Sequence, residues 1–351
     1  MRCTLVAIAL TLLLAACGGS ATPASPVSPA SSSAVLSTSP SGSAAKLEPL
    51  KAAYGAAVIQ QIPMWSAYEA GIFKKYGFDP QPLLLASGRT ALDSLIANQV
   101  DLISAGAYQT ALSVASGAKI RMVAAWSNKE PFVIYADNNI TSPQQLPGAK
   151  VGTLGPASES SIAFVLYLKK AGLAPNQMTY VTMSSVGEEA AGLAAGALNA
   201  CAIIPPIPAT TAAKAHALED LSKSGIAWIP NSFVLPQATV DQQPDKAARL
   251  LEALEEGGAY AAANPDSTKE LLRKYMKMTD ANDLEQAFQS FKNLQAKDFV
   301  PTQEALDAVT TQLLENQKDL TKDKIQPFYT SKVLDQLRTS GFLAKSGATG
   351  S

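Results

Sequence analysis

Two seven-residue stretches, Leu95–Asp101 (LIANQVD) and Leu193–Asn199 (LAAGALN), follow the same pattern 98 positions apart. Each is typical of a helix end, a tight turn and the start of a short buried strand. The strands predicted after them, Asp101–Ser104 and Leu198–Ile204, both end at a polar or proline-rich loop. The repeat predicts two lobes of similar build. Chance similarity between two helices rich in alanine and leucine is the alternative explanation.

Short apolar runs alternate with helical stretches around both turns. In the first series the pattern predicts strands at Leu50–Val58, Pro82–Ala86, Asp101–Ser104, Lys119–Trp126 and Phe132–Tyr135, and helices at Pro63–Lys75, Thr90–Asn98 and Ala107–Ser116. In the second it predicts strands at Lys150–Leu154, Met178–Met183, Leu198–Ile204 and Ile226–Ile229, and helices ending near Ala171 and spanning Glu188–Ala197 and Pro206–Ala217. This alternation predicts parallel β–α–β units, an α/β fold.

The chain after Phe233–Thr239 is predicted to be mostly helical. Apolar residues spaced by three and four predict helices at Ala247–Ala263, Ser267–Tyr275, Leu284–Leu294, Gln303–Leu314 and Ser331–Leu337. We expect this helical C-terminal tail to pack on the first lobe. The chain has 351 residues, 47% of them hydrophobic, which is enough for two sizeable cores. Its net charge of −1, without a basic run, argues against a nucleic-acid partner.

The N-terminus carries the features of an export signal. Arg2 precedes the apolar run Leu5–Leu14, which is too short to span a bilayer. The stretch Leu14–Gly18 (LAACG) resembles a bacterial lipobox, which implies removal of residues 1–16, lipidation of Cys17 and an extracytoplasmic, membrane-anchored protein. A plain secretory signal is the alternative. Residues 17–45 are rich in Ser, Pro and Ala and are predicted to be a disordered tether of roughly 30 Å.

The residue types that carry most enzyme chemistry are scarce. His216 is the single histidine and is predicted on a helix surface, and Cys201 is predicted to be a small buried hydrophobe. Ser116 and Lys119 have the spacing of a Ser–Lys pair but lack its companion motifs. We therefore expect no catalytic residue, no metal site and no cofactor.

The stretch 152–161, GTLGPASESS, raises a separate question, because it places several hydroxyls and a carboxylate between two apolar runs. Ser158 is the best N-cap candidate for the following helix. Similar polar or glycine-containing loops precede helix starts at Ser87–Arg89, Ser104–Gly106 and Ile204–Pro206. Ligands of open α/β sheets bind beyond the carboxyl ends of strands, where helix N-termini offer free N–H groups. The four loops together predict a ligand-binding cleft between the lobes.

The candidate ligand contacts belong to these loops or flank them. They are Trp65, Ser87, Gly88, Arg89, Ser104, Gly106, Tyr108, Trp126, Ser158, Glu159, Ser160 and Pro205. Arg89 either pairs with a sulfonate or carboxylate or is a solvated first-turn arginine. Trp65 and Tyr108 either stack on a flat heterocycle or pack in the core. Glu159, if it faces the cleft, would repel a sulfonate and would favour an amine or a neutral heteroaromatic ring.

A family resemblance is carried by motifs in a fixed order. They are Trp65–Phe78 (WSAYEAGIFKKYGF), Ala91–Ser104 (ALDSLIANQVDLIS), Lys119–Ala124, Leu146–Gly152, Leu168–Leu173 and Ala194–Ala200 followed by Pro205. Over about residues 48–295 the chain resembles the substrate-binding proteins of ABC transporters, in the nitrate/sulfonate/bicarbonate and thiamine-pyrimidine-precursor branch. The second lobe has Asn199 where this family usually has aspartate. We interpret both Asp101 and Asn199 as turn-capping residues.

The resemblance implies a two-lobed type II periplasmic-binding-protein fold, in which each lobe is a mixed sheet flanked by helices. Crossover strands are expected near Phe132–Asp137 and Phe233–Thr239. The first lobe would comprise 46–135 with 237–345, and the second lobe 136–236. The implied partners are a small organic solute, either a sulfonate or carboxylate or a pyrimidine-like heterocycle, and an ABC permease that receives it. We expect a monomer.

Two other functions remain open at this stage. A ligand sensor that signals without transport would have the same sequence features. A thiamine-pyrimidine biosynthetic enzyme is disfavoured, because the related enzyme consumes its own histidine beside a cysteine-rich motif. This chain has a single histidine and no cysteine cluster.

Overall fold

The computed structural model describes residues 46–346, which belong to one compact unit. The predicted signal peptide, Cys17 and the tether lie outside the described residues. Ten strands are present in the described part of the chain. They are Glu48–Tyr54 (β1), Phe78–Leu84 (β2), Leu102–Ala105 (β3), Ile120–Ala125 (β4), Val133–Asp137 (β5), Lys150–Thr153 (β6), Thr179–Thr182 (β7), Ala200–Ile203 (β8), Ala215–Asp220 (β9) and Ser232–Pro236 (β10).

The strands form two five-stranded sheets with the same internal arrangement. The first has the order β2-β1-β3-β10-β4, and the second has the order β7-β6-β8-β5-β9. In the first sheet β1 is parallel to β2 and β3, while β10 is antiparallel to β3 and β4. In the second, β6 is parallel to β7 and β8, while β5 is antiparallel to β8 and β9. This confirms the predicted pair of mixed sheets.

Fifteen α-helices connect and cover these strands within residues 46–346. They are Ile62–Glu69 (α1), Ile72–Lys75 (α2), Gly88–Ile96 (α3), Ala107–Ala115 (α4), Glu159–Lys170 (α5), Val186–Ala194 (α6), Ala209–Ala212 (α7), Gln237–Gln242 (α8), Pro244–Ala263 (α9), Pro265–Met276 (α10), Ala281–Leu294 (α11), Gln303–Asn316 (α12), Lys322–Ile325 (α13), Lys332–Thr339 (α14) and Phe342–Ser346 (α15). We call each sheet, with the helices packed on it, a lobe.

The two turns that suggested the repeat have equivalent geometry. Asn98 and Gly196 both adopt a left-handed backbone, with φ of 55° and 71°. In the first lobe the Asp101 carboxylate accepts the backbone N–H of Lys51 at 2.9 Å. In the second, the Asn199 amide oxygen accepts that of Lys150 at 2.9 Å. Asp101 and Asn199 therefore each accept a backbone N–H of the neighbouring strand, β1 or β6, and asparagine does this as well as aspartate.

The helices after β10 pack on the first sheet, as expected. Leu250, Leu254 and Phe291 share one buried cluster with Leu50 of β1, while Val309 of α12 packs in a second cluster with β3 and α4. The predicted helix Pro63–Lys75 is divided into α1 and α2. Its break lies at Gly71, whose φ of 70° suits glycine and cannot continue a right-handed helix.

The predicted helix Pro206–Ala217 is wrong over most of its length. Only Ala209–Ala212 is helical, and Ala215–Asp220 is the edge strand β9. His216 therefore lies on a strand, paired with Ala136 of β5, and not on a helix surface. Hydrogen bonding along the open edge of β5 outweighs the helix propensity of the alanines, which is a tertiary effect that the local sequence does not reveal.

The predicted strand Ile226–Ile229 is also wrong, because these residues connect the two sheets. The chain passes from the first sheet to the second in residues 126–132 and returns in 221–231, and we call these segments the first and second crossovers. They run side by side, with an isolated antiparallel bridge between Lys129 and Ala227. The Trp228 N–H also donates to the Asn128 carbonyl at 3.2 Å. The crossovers thus form a two-stranded connection between the lobes.

None of the helices in residues 46–346 combines the length and the apolar character needed to cross a bilayer.

Candidate functional site

The two lobes meet where the N-terminus of α5 faces the N-terminus of α4. Glu159 is the first residue of α5, and Gly106 caps α4. A β-carbon added at Gly106 would lie 1.9 Å from Oε1 of Glu159, so a side chain there would collide with the carboxylate. Glycine at 106 thus allows the second lobe to place a carboxylate against the backbone of the first.

Glu159 is held by the second crossover. The indole N–H of Trp228 donates to Oε2 at 3.1 Å, whereas Oε1 is inaccessible to solvent and has no hydrogen-bond partner. Burial raises the pKa of Glu159 to about 8, and the Trp228 hydrogen bond offsets part of that rise. A carboxyl group in this setting readily gains a proton or a cation at neutral pH.

Glu130 brings a second carboxylate to the same place. It lies in the first crossover and is fully buried, and neither carboxylate oxygen has a hydrogen-bond partner. Burial raises its pKa well above the ordinary range. The nearby charge of Glu159 raises it further. We call Glu130 and Glu159 the carboxylate pair.

The Ser158 and Ser160 hydroxyls of GTLGPASESS both have local partners. Ser158 caps α5, because its Oγ accepts the backbone N–H of Ser161 at 3.3 Å and donates to the Gly155 carbonyl at 2.7 Å. Ser160 is buried, and its Oγ accepts the Leu154 N–H at 3.0 Å. The predicted N-cap at Ser158 is confirmed. Both hydroxyls shape the loop that presents Glu159.

Further contacts join the lobes along α5. The Gln109 side-chain amide of α4 donates to the Ala157 carbonyl at 2.8 Å. At the other end of α5, the Lys169 ammonium donates to the Gln312 side chain of α12 at 2.6 Å and forms an ion pair with Glu315. Ile162 of α5 packs in a buried cluster of the first lobe. The lobes are therefore in direct contact along the whole of α5.

A third buried carboxylate, Glu189, lies behind this loop in the second lobe. It is fully buried, and neither of its oxygens has a hydrogen-bond partner. Burial raises its pKa to about 8. Cys201 is buried beside it in β8, as predicted, and the charge of Glu189 adds to the rise that burial causes in the pKa of the thiol.

The loop after β2 contributes less to the candidate site than the sequence analysis predicted. Ser87 caps α3 by accepting the Thr90 N–H at 3.1 Å, and it is exposed. Arg89 pairs with Asp93 on the same helix, and its side chain is 70% exposed, so it does not reach the carboxylate pair. Gly88 is approached by Gly55, where a β-carbon would lie 2.0 Å from the Gly88 nitrogen. A close contact between the loops after β1 and β2 explains Gly55, whereas a β-carbon at Gly88 would lie 3.2 Å from Oε1 of Gln109.

Three aromatic candidates are buried and make contacts within the protein. Trp65 stacks on Tyr275 with ring centroids 4.6 Å apart, and Tyr108 accepts a hydrogen bond from Asn316 at 3.1 Å. The Tyr108 ring lies 6.4 Å from that of Trp228. Trp126, in the first crossover, is fully buried, and its indole N–H has no hydrogen-bond partner.

The remaining candidates lie at other points of the lobe boundary. The Ser104 hydroxyl donates to the Asn231 side chain of the second crossover at 2.6 Å. Pro205 lines a separate cavity of about 270 Å³ together with Lys129 and Leu294 of α11. The structure thus brings Gly106, Ser158, Glu159 and Ser160 together, and it leaves Ser87, Arg89 and Pro205 apart from them.

The sequence analysis missed Glu130 and Trp228. Glu130 stands in a polar stretch before Pro131, where a solvated turn is the ordinary interpretation, and Trp228 stood in a predicted strand. Burial of an unpaired glutamate is rare, and no local pattern signals it. Within residues 46–346, no three or more His, Cys, Asp or Glu side chains are grouped so that they could hold a metal ion.

Comparison with known proteins places the chain in a family. The model of the family described as NMT1/THI5 like matches residues 59–268, more than half of the chain. A relative from Brucella abortus, named provisionally as a binding protein, is 23% identical over 238 residues, which cover 67% of this chain and 73% of the relative.

Solved structures of similar fold agree with the two-lobed architecture. A protein of Bordetella bronchiseptica RB50 superposes with a TM-score of 0.71 at 19% identity, covering 84% of this chain and 98% of that one. The periplasmic aliphatic sulphonate binding protein SsuA of Escherichia coli gives a TM-score of 0.64 at 20% identity, with 82% and 99% covered. The type II periplasmic-binding-protein fold is thereby confirmed.

Proposed function

This chain belongs to the NMT1/THI5-like family, and from that premise we propose that it is an extracytoplasmic solute-binding protein that delivers a small organic solute to an ABC permease. The solute binds between the lobes, at the loops that follow β3 and β6. The lobes close over it, and the closed form docks on the permease. The protein binds its solute without chemical conversion.

The single observation that carries this proposal is the contact of Glu159 with both Gly106 and Trp228. One carboxylate of the second lobe lies against a helix start of the first lobe and a side chain of the crossover. A solute placed there would touch both lobes and the connection between them. Opening and closing of the lobes would then be coupled directly to binding.

We propose that the mature protein begins at a lipidated Cys17 and that residues 17–45 tether it to the membrane. A flexible tether of roughly 30 Å would let the two lobes reach a permease in the same membrane while still rotating freely. The anchor is tested by metabolic labelling with a radioactive or alkyne fatty acid. Label should enter the full-length chain and should be lost in the Cys17→Ala variant.

Solute binding is tested by thermal shift and calorimetry with panels of sulfonates, carboxylates, pyrimidines and amines. One chemical class is expected to raise the melting temperature and to give binding heat, because a ligand that binds only the folded state stabilises it. Absence of both signals for every panel would refute the proposed function.

A further inference from the structure

The carboxylate pair has unmet hydrogen-bonding capacity. Both oxygens of Glu130 and Oε1 of Glu159 are buried acceptors without a hydrogen-bond partner. Buried polar groups are normally paired, and an unpaired buried acceptor costs about 1–3 kcal/mol. Glu130 and Trp228 each follow a residue of the Lys129–Ala227 bridge, and Trp228 donates to Glu159, so the two acids lie at the same point of the crossovers. A bound partner that supplies several hydrogen-bond donors would satisfy these acceptors and reduce the repulsion between the two acids.

The protein itself supplies no positive partner to this pair. The ion pairs of the described residues involve other acids, such as Glu315 with Lys169 and Asp93 with Arg89. The one hydrogen bond that reaches the pair comes from the neutral indole of Trp228. If ionised, the two carboxyl groups would repel a sulfonate or another anion, whereas a cation would stabilise their ionised form.

From this arrangement we propose that the solute is an organic cation, a protonated amine or an amidinium, whose N–H groups donate to Glu130 and Glu159. The inference rests on the proposed function and specifies the ligand class of the same site. The cation supplies the missing positive charge and the missing donors together. Its arrival from solution requires the lobes to part, because Glu159 now lies directly against Gly106.

The surroundings favour an organic cation over a metal ion. Calcium takes 6–8 oxygen ligands, and zinc is held mostly by His and Cys, whereas this site offers two carboxylates beside aromatic residues. Trp228 is fully buried and donates to the pair, and the Tyr108 ring lies 6.4 Å from it. Aromatic walls suit the apolar body of an amine or the flat face of an amidinium.

The experiment compares four groups of probes on the purified mature protein at constant ionic strength. The cations are agmatine, putrescine and benzamidine; the anions are ethanesulfonate, acetate and nitrate; the neutral probe is cytosine; the metal probes are calcium and zinc chloride. Melting temperature and titration calorimetry are recorded for each. Calorimetry at pH 7 is repeated in buffers of different ionisation enthalpy, which measures protons released on binding.

We expect at least one cation to bind and to release roughly one proton, because a neighbouring positive charge lowers the pKa of the carboxyl pair. The Glu130→Gln and Glu159→Gln variants should bind that cation more than about tenfold more weakly. Glu255→Gln is the matched control. It removes a buried carboxyl of α9 that lies near Asp298, and it should bind the cation like the wild type. Circular dichroism confirms that each variant is folded.

The outcomes separate the ligand class from the function. Binding of an anion, cytosine or a metal with no cation bound would overturn the ligand class while leaving the binding function intact. Cation binding without proton release, or with equal affinity in all three variants, would show that the pair is not the cation site. If no probe of any group binds, both this inference and the proposed function fail.

Discussion

At the scale of single residues, the contact between the lobes depends on how side chains are buried and not on rare residue types. Glu130 and Glu159 are ordinary residues in the sequence, and the fold withdraws both from water. Gly106 contributes by lacking a side chain, which lets Oε1 of Glu159 approach the backbone. The proposed site requires all three residues, because Gly106 leaves the space in which the Glu159 carboxyl is buried and Glu130 supplies the second carboxyl group.

We therefore expect any side chain at position 106 to destabilise the contact between Glu159 and the backbone of the first lobe. Its backbone angles, φ −62° and ψ 139°, suit alanine, so Gly106→Ala should act only through the collision with Glu159. We expect the free energy of unfolding to fall by about 1–3 kcal/mol, which is typical of overpacking. Chemical denaturation provides the measurement.

The matched control for this change is Gly187→Ala, where the nearest atom to the new carbon is 3.8 Å away. It should be neutral or slightly stabilising. The double variant Gly106→Ala with Glu159→Ala should recover much of the loss. If the double variant loses as much free energy of unfolding as Gly106→Ala alone, the added methyl group does not collide with Glu159.

Stability should fall as the pH rises from about 4.5 towards 8. Burial raises the pKa of Glu159 from its ordinary 4.5 to about 8, so the folded state binds more protons than the unfolded state in this interval. The stabilisation is complete below pH 4.5 and is lost as the carboxyl ionises, at up to about 1.4 kcal/mol per pH unit for each proton.

The measurement is the free energy of unfolding from pH 5 to 8. Glu159→Gln should flatten the slope, whereas Asp79→Asn, at an exposed position, should leave it unchanged. Glu130 and Glu189 shift in the same direction, so a residual slope is expected in the single variant. A wild-type stability that rises across this range would contradict the burial of these groups as carboxyls.

At the scale of elements, α5 serves both lobes. Its Phe164 and Leu168 pack in the core of the second lobe, while Ile162 packs in a core cluster of the first. The helix was predictable from its apolar spacing and its N-cap serine. Its second packing face was not, because a residue that faces the other lobe has the same apolar character as one that faces its own.

The cap at Ser158 should therefore matter to both stability and binding. Ser158→Ala removes an N-cap and should lower the free energy of unfolding by about 1 kcal/mol. Ser87→Ala removes the equivalent cap from α3, at an exposed position, and should cost a similar amount.

Solute affinity then distinguishes the two caps. Since Ser158 orients the start of α5 and with it Glu159, Ser158→Ala should weaken solute binding, whereas Ser87→Ala should leave it nearly unchanged. Calorimetry with the cation from the probe panel that binds the wild type most tightly provides the measurement. Equal affinities in both variants would mean that Ser158 only caps the helix.

At the scale of the whole molecule, the lobes are held together by few polar contacts. The ion pair of Lys169 and Glu315 is partly exposed, with side chains 36% and 50% accessible, so it contributes less than about 1 kcal/mol to folding. It nevertheless joins α5 of the second lobe to α12 of the first. Removing this ion pair should therefore change how far the lobes close more than it changes the free energy of unfolding.

Lys169→Ala should accordingly shift the solute-free protein towards a more open form. Small-angle scattering should show a larger radius of gyration at low salt, and added salt should reduce the difference because it screens the wild-type pair. Lys170→Ala is the control, because Lys170 pairs with Glu219 of β9 within the second lobe. Identical scattering from the two variants would show that the Lys169–Glu315 ion pair does not affect lobe closure.

The sequence alone determined the repeated α/β build, the helical tail, the N-cap at Ser158 and the paired turns at Asp101 and Asn199. These features depend on interactions within a few residues or on periodic burial, and both leave local patterns. Only the tertiary structure decided that residues 215–220 form an edge strand, that Arg89 pairs with Asp93 and that Glu130 is buried near Glu159. Those outcomes depend on which segments the folded chain brings together, and burial of a charge by distant segments leaves no mark in its own neighbourhood.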